Sequence, residues 1–441
     1  MSDTESSPVG GVRTMRGLRW FGDGACLGED IETGETHMVF RMLPGELARV
    51  RCVEHGGRGR RRYVAEELLE RSTQRGEVDC EGWHNGCAGC GLLHLNHAEE
   101  RSYKLTLVRE VVERLAGLRA PDVDWVSSDA PGESVGELPD GARTPVPVRR
   151  RMRVRLCIDG GRLRMSFGGI DGSQVRVSSC GALAAELQQV MGALATVDVA
   201  AGPGPGAVPW PTDAVWLTAQ LADDGVLDLY CDATDAWQWG PELARRVGEM
   251  SGQTVRWAAA EPEWSTATDR ESVKQRWLGE QLVRLKKRGR PMSHVLDGTC
   301  GSGGTTLELA AVSDRVLALD VDIRAVRAVA ERVGREGLGD RVSVRGGRLD
   351  TVLGRLVRDG SVFDGVVLNP MRRSLGEAAM EGVHDVGAGW LVYLAPAPRA
   401  AAEDLAVLVQ RGWALAVLAA VDTHPGTSRV MMGAVLERTA G

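Results

Sequence analysis

The residues best placed to do chemistry are four cysteines. Cys80, Cys87 and Cys90 fall within eleven residues, and Cys180 follows ninety residues later. Three clustered thiolates with one remote partner is a recurrent way to hold an iron–sulfur cube. Zinc on the same four thiolates is the alternative. Four-thiolate zinc sites favour paired spacings of two to four residues, and only Cys87 and Cys90 fit that. His84 and His94 lie close by, as spare ligands or as lining and surface residues. The expected task of the centre is structural, tying the 80–90 loop to the strand that delivers Cys180.

A second candidate is HVLDGTCGSGGT at residues 294–305. A hydrophobic strand ends in Asp297, then Gly298, Cys300, Gly301 and Gly303 lead into a helix. A phosphate-binding loop would place a Lys-Ser/Thr pair after its glycines, and none is present. About one helix later a second strand ends in Asp320, where a carboxylate suits a ribose diol. The pattern favours S-adenosylmethionine in a class I methyltransferase domain, with a nicotinamide dinucleotide as the alternative.

The elements that must position these groups follow from hydrophobic periodicity. Residues 1–12 read as a disordered tail, and 13–71 as a small β-domain of short strands broken by Gly, Asp and Pro. Within it, GGRGRRRY at 56–63 sets Arg58, Arg60, Arg61 and Arg62 beside a tyrosine. That arrangement suits single-stranded nucleic acid, or is simply an exposed hairpin tip. Residues 72–261 form a central α+β region, with an amphipathic helix over 102–118 and three strands from Arg149–Arg151 to Cys180. Cys157 and Cys231 fall on its strands and read as core. From 262 to 441 strands and helices alternate, which implies a doubly wound, mostly parallel sheet.

Composition sets the outer bounds. At 441 residues two or three domains are expected, and 43% hydrophobic with 26% charged residues describes a folded chain. No apolar run reaches the roughly 18–20 residues of a membrane span. The polar start MSDTESSPVGGVRT lacks the apolar stretch of a secretory signal, so a cytoplasmic protein with reduced thiols is expected. Net charge is −7, which argues against coating nucleic acid by charge alone. Only four basic residues are lysines and 49 are arginines. GC-rich coding explains that bias as readily as guanidinium recognition of phosphate and bases does.

Taken together, these segments resemble the RNA uracil-5-methyltransferases of ribosomal and transfer RNA, over nearly the whole chain. Residues 13–71, with LPGE at a turn, look like their TRAM domain, an OB-like RNA-binding barrel. CEGWHNGCAGCGLLHL with VSSC resembles the cluster motif, which implies a [4Fe-4S] centre on Cys80, Cys87, Cys90 and Cys180. VLDGTCGSGGTTLELA, ALDVDIRAV and VVLNPMRRSL resemble methyltransferase motifs I, II and IV. The resemblance thus implies S-adenosylmethionine near Asp297, Gly298, Gly301, Gly303, Asp320, Asn369 and Thr266. It also implies an RNA partner, a single-stranded loop of ribosomal or transfer RNA, bound by a monomer. Arg58, Arg60, Arg61, Arg62, Arg149–Arg151, Arg372 and Arg373 are the expected RNA contacts, the last two facing the substrate cleft.

The departures concern the chemistry itself. The family adds a cysteine thiolate to C6 of uracil so that C5 becomes nucleophilic, and a base then removes the C5 proton. Here the nucleophile motif aligns with Ala395-Pro396-Ala397-Pro398, and no cysteine follows Cys300. The glutamate position is Met431, although Asp422, Pro425 and Thr427 are kept. The hinge glutamine is Thr266 and the motif IV aspartate is Asn369. Two expectations follow: a methyltransferase with an altered acceptor, or an RNA-binding relative without turnover. Asn369-Pro370 favours the former, since some amino-methyltransferases end this strand in Asn-Pro and hold a substrate amino group there. Cys300, in the donor loop, is the remaining thiol to consider.

Overall fold

The computed structural model describes residues 11–55, 61–127, 151–198, 213–222, 224–233, 236–258, 269–371 and 373–439. The first strands are β1 (Val12–Trp20), β2 (Cys26–Asp30), β3 (Thr36–Phe40), β4 (Leu47–His55) and β5 (Arg61–Glu70). There follow α1 (Glu81–His84), α2 (His97–Ala116) and β6 (Val123–Val126). Next come β7 (Arg151–Asp159), β8 (Arg162–Gly168), β9 (Gln174–Arg176) and α3 (Ala185–Thr196). Then come β10 (Val215–Leu221), β11 (Leu227–Cys231), α4 (Ala236–Ser251) and β12 (Val255–Trp257). The last third opens with α5 (Asp269–Lys287), β13 (His294–Asp297), α6 (Gly304–Val312), β14 (Arg315–Asp320) and α7 (Ile323–Arg335). It continues with β15 (Val342–Gly346), α8 (Leu349–Arg358), β16 (Gly365–Leu368) and α9 (Glu377–Asp385). It closes with β17 (Trp390–Ala395), α10 (Pro398–Val409), β18 (Trp413–Val421) and β19 (Met431–Arg438).

Two compact units result. The first draws on Met1–Glu100, Ser134–Thr268 and Pro425–Ser428. The second draws on Arg101–Glu133, Asp269–His424 and Arg429–Gly441.

In the first unit, β1 to β5 close into a barrel in the order β1-β2-β3-β5-β4, which leaves no open sheet edge. Met15, Cys26, Val39, Val50 and Tyr63 fill it. The LPGE turn crosses one end so tightly that a Cβ on Gly17 would stand 2.3 Å from the Leu43 carbonyl oxygen. A six-stranded sheet of order β12-β11-β10-β7-β8-β9 forms the rest of this unit. Strand period decides its two faces. Met152, Val154 and Leu156 of β7 point into a core with Leu187, Val190 and Leu194 of α3 and Trp239 and Leu243 of α4. Their neighbours Arg151, Arg153 and Arg155 take the opposite face.

The second unit carries an eight-stranded sheet of order β15-β14-β13-β16-β17-β19-β18-β6. Strands β13 to β17 are parallel, and β19 runs antiparallel to β17 and β18. Counting from β13, the first seven follow the order 3-2-1-4-5-7-6 expected of a class I methyltransferase sheet. Both faces are covered, so β16 and β17 are buried along their whole length and read as unbroken apolar runs. β6, from the segment that sequence reading keeps with the central region, pairs in parallel with β18 and covers what would be an open edge.

Candidate functional site

The Gly-rich loop at 298–303, the expected donor loop, hangs between the C-terminal ends of three parallel strands. Gly298 N–H donates to Val367 O at 2.9 Å and Cys300 N–H to Leu319 O at 2.8 Å, fixing the loop to β16 and β14. Glycine is required at two places for different reasons. A Cβ on Gly298 would stand 2.5 Å from Leu368 Cδ2, while Gly303 caps α6 at φ 89, in the left-handed region. Asp320 bridges the turn: one carboxylate oxygen accepts from Gly301 N–H at 2.8 Å and the other from Asp322 N–H at 2.9 Å. Each oxygen keeps a lone pair for a further donor.

Asp297 is fully buried. Its Oδ2 accepts from Thr306 Oγ1 at 2.7 Å, while Oδ1 has no hydrogen-bond partner in the structure. Burial pushes its pKa up to about 7; the Thr306 hydroxyl and the Thr299 amide pull it down, and Asp320 adds a smaller upward push. Asp297 therefore braces the loop from beneath, anchoring the start of α6. Asn369 follows β16, its N–H donating to Thr299 Oγ1 at 2.6 Å, so the loop and motif IV are joined directly.

Two apolar residues here were invisible as site residues in the sequence. Val321 is 71% exposed and Ile323 56% exposed, immediately after Asp320. Apolar side chains left in water beside the Asp320 carboxylate offer a wall for a flat ring. The signal available was the V-x-I pair following a strand-ending acid.

Pro396 and Met431, the positions that the resemblance aligns with the nucleophile and the base, are apolar. The register of β17 on β19 pairs Ala395 with Met432, which sets Pro396 opposite Met431. Met431 is 8% exposed and belongs to the cluster containing Leu394, Val421 and Val435. Neither side chain offers a thiol, an acid or a base. Cys300 does not substitute: it is 4% exposed, and burial with the charges of Asp297 and Asp320 raises its pKa far above neutrality. Asp422 is buried too, accepting from Lys104 Nζ at 2.9 Å and from His424 N–H at 3.0 Å. Pro425 and Thr427 lie in the first unit, where Gly426 N–H donates to Glu100 Oε1 at 2.7 Å.

The four cysteines come together in the first unit. Cys80, Cys87, Cys90 and Cys180 all line one cavity of about 310 Å3, with Trp83, Leu93, Phe167, Val177 and Leu183. Gly89 N–H donates to the Cys87 sulfur at 3.4 Å. No group of three or more described His, Cys, Asp or Glu side chains is placed to hold a single metal ion. Four thiols around one cavity fit a centre held by four thiolates. His84 instead bonds the Val78 carbonyl at 2.7 Å, and His94 is buried with both ring nitrogens unpartnered. Neither histidine lines the cavity. Of the two thiols on the strands of the six-stranded sheet, Cys231 is core and Cys157 packs less deeply.

Of the basic residues, Arg61 and Arg62 open β5 and are half-buried, and Arg373 is exposed beside Met371, itself 84% exposed. Arg58, Arg60, Arg149, Arg150, Arg372 and Thr266 lie outside the described residues. Arg151 opens β7 on the open face of the six-stranded sheet, where Arg153 and Arg155, not singled out in the sequence, extend the basic surface. There Arg155 pairs with Trp216 across β7 and β10, and the Arg153 guanidinium lies 5.1 Å from the Trp216 ring centroid.

No family model matches the chain. It is 28% identical to an uncharacterized RNA methyltransferase of Streptomyces coelicolor, covering 95% of this chain and 91% of that one. It is 27% identical to the 23S rRNA (uracil(1939)-C(5))-methyltransferase RlmD of Pseudomonas entomophila, covering 97% and 90%. Among solved structures, the Pyrococcus abyssi tRNA (uracil-54, C5)-methyltransferase, in complex with S-adenosyl-L-homocysteine, superposes with a TM-score of 0.60. That match has 16% identity and covers 96% of this chain and 100% of that one. The last likeness establishes the fold, a class I methyltransferase domain combined with a closed N-terminal barrel. In sequence over nearly its whole length, the chain resembles the RNA uracil-C5 methyltransferase family.

Proposed function

We propose that this protein is an S-adenosylmethionine-dependent RNA methyltransferase whose acceptor is a base nitrogen rather than uracil C5. One observation carries the reading: the donor loop keeps its glycines and both carboxylates, while Pro396 and Met431 face each other across β17 and β19. Donor binding needs only the former. Attack from C5 needs a thiol and a base, and neither stands at these positions.

An amino nitrogen needs neither. Its lone pair attacks the sulfonium methyl, the N–C bond forms, the C–S bond breaks with its electrons going to sulfur, and the surplus nitrogen proton passes to water. The group suited to orient such a nitrogen is Asn369-Pro370, whose side-chain and backbone carbonyls would accept from an NH2. Thr299 fixes the backbone of Asn369 in place.

RNA binding draws support from the relatives' names and from three basic surfaces: the start of β5, Arg373, and the Arg153–Arg155–Trp216 face. An aromatic ring among arginines on an open sheet is the chemistry of single-strand stacking. The four-cysteine cavity supports a [4Fe-4S] cluster held by Cys80, Cys87, Cys90 and Cys180, with a structural task. No described helix is long and apolar enough to cross a membrane. An RNA target implies work in the cytoplasm.

The apolar Pro396–Met431 pair equally favours a second reading, an RNA-binding protein without turnover. One experiment separates the two. Tritiated methyl donor is incubated with the protein and total RNA from a strain lacking its gene, and the nucleosides are resolved. Label in an amino-methylated nucleoside is expected. RNA binding with steep salt dependence but no label establishes the second reading. Label in 5-methyluridine overturns both.

A further inference from the structure

We propose that Arg41 is the counter-charge of the four-cysteine centre: carried on the barrel, its guanidinium balances the negative charge of a thiolate-bound iron–sulfur cluster and raises its reduction potential. The inference rests on the cluster reading above and concerns a residue outside the ligand set.

Arg41 follows β3 and is anomalous in three independent ways. Among the described residues it alone, glycines aside, has a left-handed backbone, at φ 63. Such a conformation is costly for a side chain with a Cβ and persists where the surroundings impose it. It is also a buried cation, 8% exposed, that forms no ion pair with a carboxylate among the described residues. The buried carboxylate of this region, Glu46, is already occupied. It takes Arg75 Nε at 2.7 Å, the Leu43 amide at 2.8 Å and the Ser72 amide at 3.2 Å. Finally, Arg41 Nε is buried with no hydrogen-bond partner.

What Arg41 does touch belongs to the cysteine loop. Its Nη2 donates to the Cys87 carbonyl at 3.0 Å, and its guanidinium carbon lies 4.0 Å from the centroid of Trp83. Trp83 lines the cysteine cavity, so the cation and the cavity share one wall. A guanidinium keeps its charge at neutral pH, so a cation stands against the loop that carries Cys80 and Cys87.

An unpaired buried charge is strongly destabilising unless something nearby neutralises it. Four thiolates carry four negative charges, and the iron–sulfide core cancels only part of them. The assembled centre is an anion, and it gains one more negative charge on reduction. A fixed cation behind Trp83 favours the assembled centre over the empty loop, and its reduced form most of all. Net charge and surrounding groups are the levers that set such potentials. The backbone cost at residue 41 then has a cause: Arg75 bonds the Arg41 carbonyl at 2.8 Å while the side chain is held against the cluster loop.

The test compares the full-length chain with its Arg41→Lys, Arg41→Met and Arg41→Gly variants, all purified anaerobically. Iron and sulfide content, visible absorption, reduction potential with dithionite as reductant, and iron loss to a chelator are measured. Arg41→Gly is the informative variant, because glycine adopts φ 63 without cost, so its backbone is relieved while the charge is lost. Met and Gly should lower the potential and lose iron roughly tenfold or more faster, or purify without cluster, while Lys keeps the wild-type potential. Retention of wild-type potential and iron kinetics by the Met and Gly variants overturns the inference and leaves the cluster reading standing. A lowered potential in the Lys variant equal to that of Met overturns the role of charge. A wild-type protein that holds no iron or sulfide overturns the cluster reading, and the inference with it.

Discussion

Replacing Asp297 by Asn should make the protein more stable at neutral pH and remove a pH dependence that the wild type shows. The carboxyl is fully buried, and its pKa stands at about 7 against an ordinary value of 3.8. A carboxyl whose folded pKa is raised binds more protons in the native state than in the unfolded one. Its contribution is therefore fully present below pH 4 and is lost as pH rises to 7. The gap corresponds to about 4 kcal/mol at 1.36 kcal/mol per unit, the wild type being the less stable at high pH. Asparagine has nearly the same shape and can keep the Thr306 hydrogen bond without a charge. Urea unfolding of both proteins at pH 5, 6, 7 and 8, followed by tryptophan fluorescence, isolates this group, because other carboxylates cancel in the difference. The advantage of Asn should grow by roughly 1.4 kcal/mol per pH unit between 5 and 7, then level off. An advantage that stays constant from pH 5 to 8 would mean Asp297 is already ionised at pH 5, and the reasoning from burial would fail.

Three further outcomes follow from the same geometry. Lys104→Met leaves Asp422 buried with only part of its hydrogen bonding and should cost about 3–5 kcal/mol in denaturant unfolding. Much of that should return in the double variant with Asp422→Leu, and a single-variant loss below about 1 kcal/mol would show the pair to be solvated. Gly298→Ala drives a methyl to 2.5 Å from Leu368 Cδ2, so donor binding by calorimetry should fall by at least tenfold, and unchanged affinity would place the donor elsewhere. Trp216→Ala together with Arg153→Ala should weaken single-stranded RNA binding. Each lost phosphate contact should flatten the plot of log affinity against log salt by about 0.7, whereas an unaltered slope would exclude this face as a contact.

Where a residue's consequence is local, the sequence was legible. The strands ending in Asp297 and Asp320 and the left-handed turn at Gly303 are properties of contiguous segments, and they appear where periodicity sets them. The helices α3, α4, α8 and α9 were harder to read. Pro241 falls inside α4, and α9 is a short run with two glycines just outside and one within it. Such segments become helical because a sheet face must be covered, a tertiary demand that local propensity does not record. Long-range partners were hidden for a similar reason. Lys104 and Asp422 stand 318 positions apart, and β6 reaches its place in the sheet only through pairing with β18. Arg41 gave no signal at all, since an arginine before LPGE looks like any surface cation until its backbone angle and burial are known.

Donor binding and acceptor chemistry are recorded in different parts of the molecule. The donor loop depends on backbone: amides pinned to neighbouring strands, glycines where a Cβ would collide, and a buried acid beneath. Those features are tied to the sheet, so altering them disturbs folding as well as binding. The acceptor chemistry would depend on two side chains at the ends of β17 and β19, where the register of Ala395 with Met432 is unaffected by what residue 431 carries. Methionine there joins the apolar cluster of Leu394 and Val421. A glutamate at the same place would have to be desolvated, at a cost of at least 1–2 kcal/mol. Methionine therefore makes this corner of the sheet more stable than a glutamate would. Exchange of the catalytic groups for apolar ones is thus compatible with an intact donor fold, and the fold by itself carries no information about the atom that receives the methyl group.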